Sequence, residues 1–146
     1  MKGVNTMSEY TASAVQLVAA NANILFTDAP IDNSCSIVHR DGSGIITLRG
    51  ITRQCRARFR ISFGANIAIP TGGTVEAISA AIAVDREGLA TSTMIVTPAA
   101  VENYFNISSE ALVDVPANCC LTISVKNTST QPINFANSNL IVERVA

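Results

Sequence analysis

Tryptophan is absent from this sequence, histidine occurs once, and charged residues fill only 14% of its 146 positions. Each shortage narrows the field. With His39 as the sole histidine, a histidine-rich metal centre is excluded, and any Ser-His-Asp relay would hang on that one residue. Soluble domains ordinarily carry about 25% charged residues. This surface is short of charge, and much of it is expected to lie against another chain. The net charge of −1 offers no bulk attraction to nucleic acid or to an anionic membrane. The few aromatics do not make a base-stacking platform. No apolar run approaches the ~20 residues of a membrane helix. The opening "MKGVNTMSEYTASAVQLVAANANILF" alternates polar and apolar residues and does not read as a secretory signal. Met7 offers an alternative start that would make residues 1–6 a dispensable tail.

Cysteine is sparse too. Cys35, Cys55, Cys119 and Cys120 form no C-x-x-C pair and fit no zinc pattern. Cys119 and Cys120 are adjacent, so on a strand they point to opposite faces. One is expected to be buried as a small hydrophobe and the other to lie near the surface. Reduced thiols would suit assembly in a cytoplasm.

What the sequence does have is Val, Ile and Thr in short runs, with turn residues every ten or so positions. That spacing predicts an all-β fold, an antiparallel β-sandwich of eight to ten strands in one domain. A first strand is expected near residues 16–26, then strands over 36–39 and 45–49, separated by the turn "RDGSG". The stretch "CRARFRISF" at 55–63 alternates cleanly, with Arg56, Arg58 and Arg60 on one face and Phe59 on the other. Further strands are expected over 75–84, 89–96, 104–113, 119–126 and 133–146. The hairpin turn "DREG" joins the first two of these. A single helical turn could begin "PAAVENYF".

Alternation fails in an informative place. In the last strand Leu140, Val142 and Arg144 share one face, while Ile141, Glu143 and Val145 share the other. The run "AISAAIAV" at 77–84 is apolar on both sides as well. A two-layer sandwich has no second core for such outer faces, so they point to self-association.

Several elements now combine into a resemblance. They are Phe59 on a central strand, the turn Pro70-Thr71-Gly72-Gly73-Thr74, the hairpin Asp85-Arg86-Glu87-Gly88, and the closing Val142-Glu143-Arg144-Val145-Ala146. In this order, over roughly residues 45–146, the chain resembles bacterial jelly-roll domains of the TNF/C1q superfamily. Those include the C-terminal domains of spore-surface collagen-like proteins and their phage relatives. No Gly-X-Y stalk precedes the domain here. The first forty residues are more similar to small phage and prophage structural proteins.

The resemblance implies a TNF/C1q-like jelly roll over 26–146, with a short N-terminal arm and possible first strand over 1–25. It implies a homotrimer, with the sheet holding the Phe59 strand and the C-terminal strand around the threefold axis. Candidate subunit-interface residues are Arg56, Arg58, Arg60, Ile141, Glu143 and Val145. Candidate particle-attachment residues in the arm are Tyr10, Val15 and Leu17. The implied function is that of a phage virion protein, a capsid decoration or a fibre knob, joined to partners such as the major capsid protein. The alternative is a surface module that binds host glycans, or a spore-surface protein.

The arginine row admits three readings: a solvated strand face, an inter-subunit face, or an anion or glycan site. In the second, Glu143, Glu110 and Asp114 are candidate counter-charges on neighbouring strands or protomers, because a guanidinium binds a carboxylate through two hydrogen bonds. Motifs for chemistry are weak. Ser36, Asp41 and Ser43 lie near His39, but "DGSG" is no nucleophile elbow, and His39 reads as a strand-end residue. Asp28, Asp32 and Asn33 make a poor calcium loop. Asn106 and Asn127 head glycan acceptor triplets of little weight without a secretory route. No metal, cofactor or enzymatic activity is expected.

Overall fold

The computed structural model describes residues 7–32 and 35–146. Two antiparallel sheets face each other across one core. The first contains β1 (Met7–Ala12), β2 (Gln16–Val18), β3 (Asp28–Ile31), β6 (Arg56–Ala68), β10 (Phe105–Pro116) and β12 (Ile133–Arg144). The second contains β4 (Ile37–His39), β5 (Ile46–Arg49), β7 (Ile78–Val84), β8 (Glu87–Gly88), β9 (Met94–Val96) and β11 (Cys120–Asn127). Strand order is β10-β6-β12-β1-β3 in the first sheet, with β2 added beside β12. In the second it is β4-β5-β11-β7-β8, with β9 beside β7.

The alternation read from "CRARFRISF" extends beyond Phe63, because β6 continues without a break through Ala68. Ala57, Phe59, Ile61, Phe63, Ala65 and Ile67 point inward and are buried. They meet Ile46, Leu48, Ile78, Ile82, Ile123 and Val125 of the opposite sheet in the core. Burying a side chain such as Phe59 contributes about 1.5–3 kcal/mol.

Four expectations are corrected. The arm expected over 1–25 is, from Met7 onward, part of the sandwich. β1 lies between β12 and β3, pairing residue for residue from Met7↔Glu143 to Ala12↔Ser138. It escaped sequence reading because its inward residues are Ser8, Tyr10 and Ala12, a weak apolar signal. The strand expected over 16–26 is only β2, followed by a connection whose Ile24 N–H donates to the Val125 carbonyl. The strand expected over 89–96 is interrupted by a 3₁₀ turn at Ala90–Ser92. There the buried Ser92 hydroxyl donates to the Leu89 carbonyl and accepts from the Ile82 N–H, replacing ladder bonds. The stretch 99–104 makes turns but no helix.

Two local features fix the frame. Asp85 and Arg86 have φ of 50° and 76°, the left-handed pair that a two-residue hairpin of matching twist requires. The Asp85 carboxylate accepts from the Thr122 N–H and hydroxyl, fastening this turn to β11. At the other join, a side chain at Gly50 would place its Cβ 2.1 Å from the Pro116 carbonyl oxygen. Only glycine lets the end of β5 pass this close to the end of β10.

The run at 77–84 also differs from its reading. Ala81 and Ala83 face away from the core yet are buried. Lys126, opposite Ala81, reaches the Arg86 carbonyl at 3.2 Å, laying its methylene stem over the alanines. Ala81 and Ala83 are thus covered by their own chain.

Candidate functional site: the outer face of the first sheet

The six candidate interface residues come together as their spacing suggested. Arg56, Arg58 and Arg60 project from β6, and Ile141 and Glu143 from β12, all away from the core. Val145 follows, donating its N–H to the Arg58 carbonyl at 2.8 Å, with its side chain exposed.

Register explains the charges. Asp114 on β10 sits directly opposite Arg58, and Glu143 on β12 directly opposite Arg60. Oppositely charged residues facing each other across strands attract. The Arg58 guanidinium donates twice to Asp114, at 2.7 and 3.1 Å. Arg56 Nε lies 3.1 Å from the same carboxylate. Arg60 pairs with Glu143 at 2.5 Å. The Arg58 hydrogen bond holds the Asp114 carboxyl below the usual carboxylate range, and the same contact raises Arg58. Two of the three candidate counter-charges are used, and among the described residues Glu110 forms no ion pair. All three arginines are therefore paired within the protomer, with Arg56 and Arg58 sharing one carboxylate. The row is neither a bare cationic strip nor dependent on a neighbour for its counter-charge.

What remains open on this face is apolar or small. Leu112, opposite Arg60, is 63% exposed. Ile141 is half-buried, and Met7 and Ile31 are exposed beside it across β1 and β3. At mid-height Ser62 and Gly64 of β6 leave the centre low. Farther along, Asn66, Asn106 and Asn137 are hydrogen-bonded to one another, with Asn137 at φ 54° in a bulge of β12. Sequence reading missed Leu112, Met7 and Ile31, which sit in strands whose pairing partners lie far away in the chain.

The attachment candidates separate. Tyr10 is wholly buried and cannot touch another particle protein, which corrects its assignment. It faces inward from β1, donates to Asp32 at 3.2 Å, and packs on His39 with ring centroids 4.5 Å apart. Burial, helped by the Asp32 charge, pushes its hydroxyl up to about 12. Val15 and Leu17 are exposed, as that role requires. Leu25 joins them, because the Gln16 side chain accepts from its N–H and donates to its carbonyl, both at 2.9 Å.

His39 ends β4 with Nε2 2.8 Å from the Ser43 carbonyl, so this nitrogen carries the proton. Asp32 of the calcium-loop candidate accepts from Tyr10 and Asp28 belongs to β3, while Asn33 lies outside the described residues. Among the described residues no three His, Cys, Asp or Glu are placed to hold a metal ion. Nor, among the described residues, is any helix long and apolar enough to cross a membrane. All four cysteines are free and exposed, against the expectation that one of the 119–120 pair would be buried. Cys119 sits in the turn before β11, where neither neighbour covers it.

No protein-family model matches the chain, and no characterised protein matches it in sequence. Solved structures do. Eiger TNF from S. frugiperda aligns with a TM-score of 0.71 at 10% identity, over 97% of this chain and 93% of that one. Murine APRIL at pH 5.0 aligns at 0.68 and 8%, over 97% and 100%. The globular domain of zebrafish complement 1qA aligns at 0.62 and 8%, over 95% and 94%. At these identities the likeness is one of fold, and it establishes the architecture expected from the sequence: an all-β, antiparallel sandwich of the TNF/C1q-like jelly-roll type.

Proposed function

We propose that the protein is a self-associating structural component of a phage particle, a homotrimer that decorates the capsid or forms a fibre knob. It would assemble in the host cytoplasm and reside in the virion, with no catalytic step or cofactor. The observation that carries self-association is the outer face of the first sheet. Its arginines are already paired, its centre is low, and Leu112, Ile141, Met7 and Ile31 stand where a neighbour could cover them. Each ~100 Å² of apolar surface so covered contributes roughly 2.5 kcal/mol. Paired arginines can enter such an interface at less cost than bare ones. The trimeric state follows the resemblance to TNF/C1q-type domains. The particle assignment follows the similarity of the first forty residues to small phage proteins, and the exposed Val15 and Leu17 supply an apolar contact for the major capsid protein.

Light scattering on the eluting protein tests the first part. The native chain should show three times the 15.3 kDa protomer mass, and Leu112→Asp with Ile141→Asp should yield a folded single protomer. A native chain that stays monomeric at micromolar concentration overturns self-association. Particles assembled with a Val15→Asp, Leu17→Asp variant should lack the protein. Normal incorporation of that variant overturns the attachment reading.

A further inference from the structure

Free cysteine is among the most frequently buried residue types, yet all four here are exposed. They fall in three separate places in the sequence, at 35, 55 and 119–120, and the fold gathers them at one end. Cys120 opens β11 directly opposite Arg49 of β5. The Cys119 carbonyl accepts from the Gly50 N–H at 2.8 Å, and the Cys55 carbonyl from the Ala117 N–H at 3.0 Å. The Cys35 carbonyl accepts from the Arg49 guanidinium at 3.3 Å.

A second observation concerns what surrounds two of these thiols. An open cleft of about 510 Å³ is lined by Arg49, Thr52, Arg53, Asn118, Cys119 and Cys120. Its guanidiniums differ from those of the first sheet. The ion pairs among the described residues fall on Arg56, Arg58 and Arg60, and none involves Arg49 or Arg53. The cleft therefore keeps its positive charge. Gly50, pressed against Pro116, gives it a backbone floor. Leu48 and its partner Leu121 turn toward the core, so the next pair, Arg49 and Cys120, turns outward. Directly opposed side chains of a ladder sit about 4.5–5.5 Å apart at Cβ. Cys120 and Arg49 thus lie side by side on the outer side of the second sheet, which the proposed trimer leaves free, with the Arg49 guanidinium turned to the Cys35 carbonyl on the other flank of β5.

We propose that this cleft is a thiol-exchange site for small anionic disulfides, with Cys120 as the reacting sulfur and Arg49 and Arg53 holding the anion. The thiol gives its proton to solvent. The thiolate sulfur attacks one sulfur of the disulfide, a new Sγ–S bond forms as the old S–S bond breaks, and the other half leaves as a thiolate that takes up a proton. The disulfide is the oxidant, and the product is a protein mixed disulfide. Unpaired positive charge concentrates an anionic reagent at the cleft.

The test uses the reduced full-length chain with a Cys119→Ser change, so that the 119–120 peptide reports Cys120 alone. It is mixed at low ionic strength with oxidised glutathione, which is net anionic, or with cystamine, which is cationic. Peptide mass mapping follows each cysteine over time. Cys120 should react with the anionic disulfide faster than with the cationic one by about tenfold or more, a preference that salt erodes. It should outpace Cys35 and Cys55 with the anionic reagent. Arg53→Ala should cut the preference and Arg53→Lys keep most of it. Arg53 lies in a loop, so its variants are expected to fold, with circular dichroism as the control. Equal rates for the two reagents, equal rates at all cysteines, or an unchanged preference in folded Arg53→Ala would each overturn the proposal.

Discussion

Ala81 and Ala83, on the outer side of the second sheet, are as buried as core residues, whereas Leu112 on the outer side of the first stands open to solvent. Both sheets carry apolar residues away from the shared core. At its centre the second covers its own: the residues are small, the Lys126 stem crosses them, and the 85–88 hairpin folds alongside, while Val38 and Ile95 on its flanking strands β4 and β9 stay exposed. The first pairs its three arginines with two carboxylates and leaves Leu112 uncovered in the middle of the face. Apolar composition on two faces is thus an ambiguous sign of association. What separates the cases is whether a long side chain or a hairpin of the same molecule reaches across.

Three perturbations sharpen this contrast. The largest concerns β1. Deleting residues 1–12 removes an interior strand of the first sheet, along with Tyr10 from the core, and separates β12 from β3. The truncated chain should fail to fold, read as loss of the β-sheet circular dichroism signal; a cooperative, sheet-rich truncated protein would show that the first sheet does not depend on β1. Next is Ala83→Leu. If the second sheet is closed over its alanines, the larger side chain overpacks and lowers unfolding free energy by about 1–3 kcal/mol in urea titration. A change within about 0.5 kcal/mol, typical of open surface, would mean that this face is uncovered and that the contrast drawn above fails. The smallest effect is in acid. Asp114 titrates below its ordinary value, so the folded state holds its proton less tightly than the unfolded chain. Its contribution is intact above the unfolded value of about 3.9 and fades as pH falls through the folded one. A carboxyl-carbon NMR titration should place Asp114 below that value, and Arg58→Gln should move it upward. An ordinary midpoint in the native protein would detach the arginine row from its register partner.

Legibility in the sequence followed range. β6 could be read because its alternation is local and each inward residue is apolar. The 85–88 hairpin was visible because its turn occupies two residues. β1 was read as an arm because its identity as an inner strand comes from β12, more than a hundred residues later. Asp114 and Glu143 were among the candidate partners of the arginines, but only the ladder register singles them out over Glu110. The cleft beside Cys120 was illegible, since nothing local says that residues 35, 49–55 and 119–120 share an end. Tyr10 was misassigned for the same reason: an aromatic near a terminus gives no hint of the histidine it will stack on.

The pairing of Met7 with Glu143 sets how the molecule would bear load. Both ends of the described chain leave from neighbouring interior strands at one end of the same sheet, side by side and antiparallel. A pull between them peels β1 from β12 one rung at a time, the weak direction of a ladder.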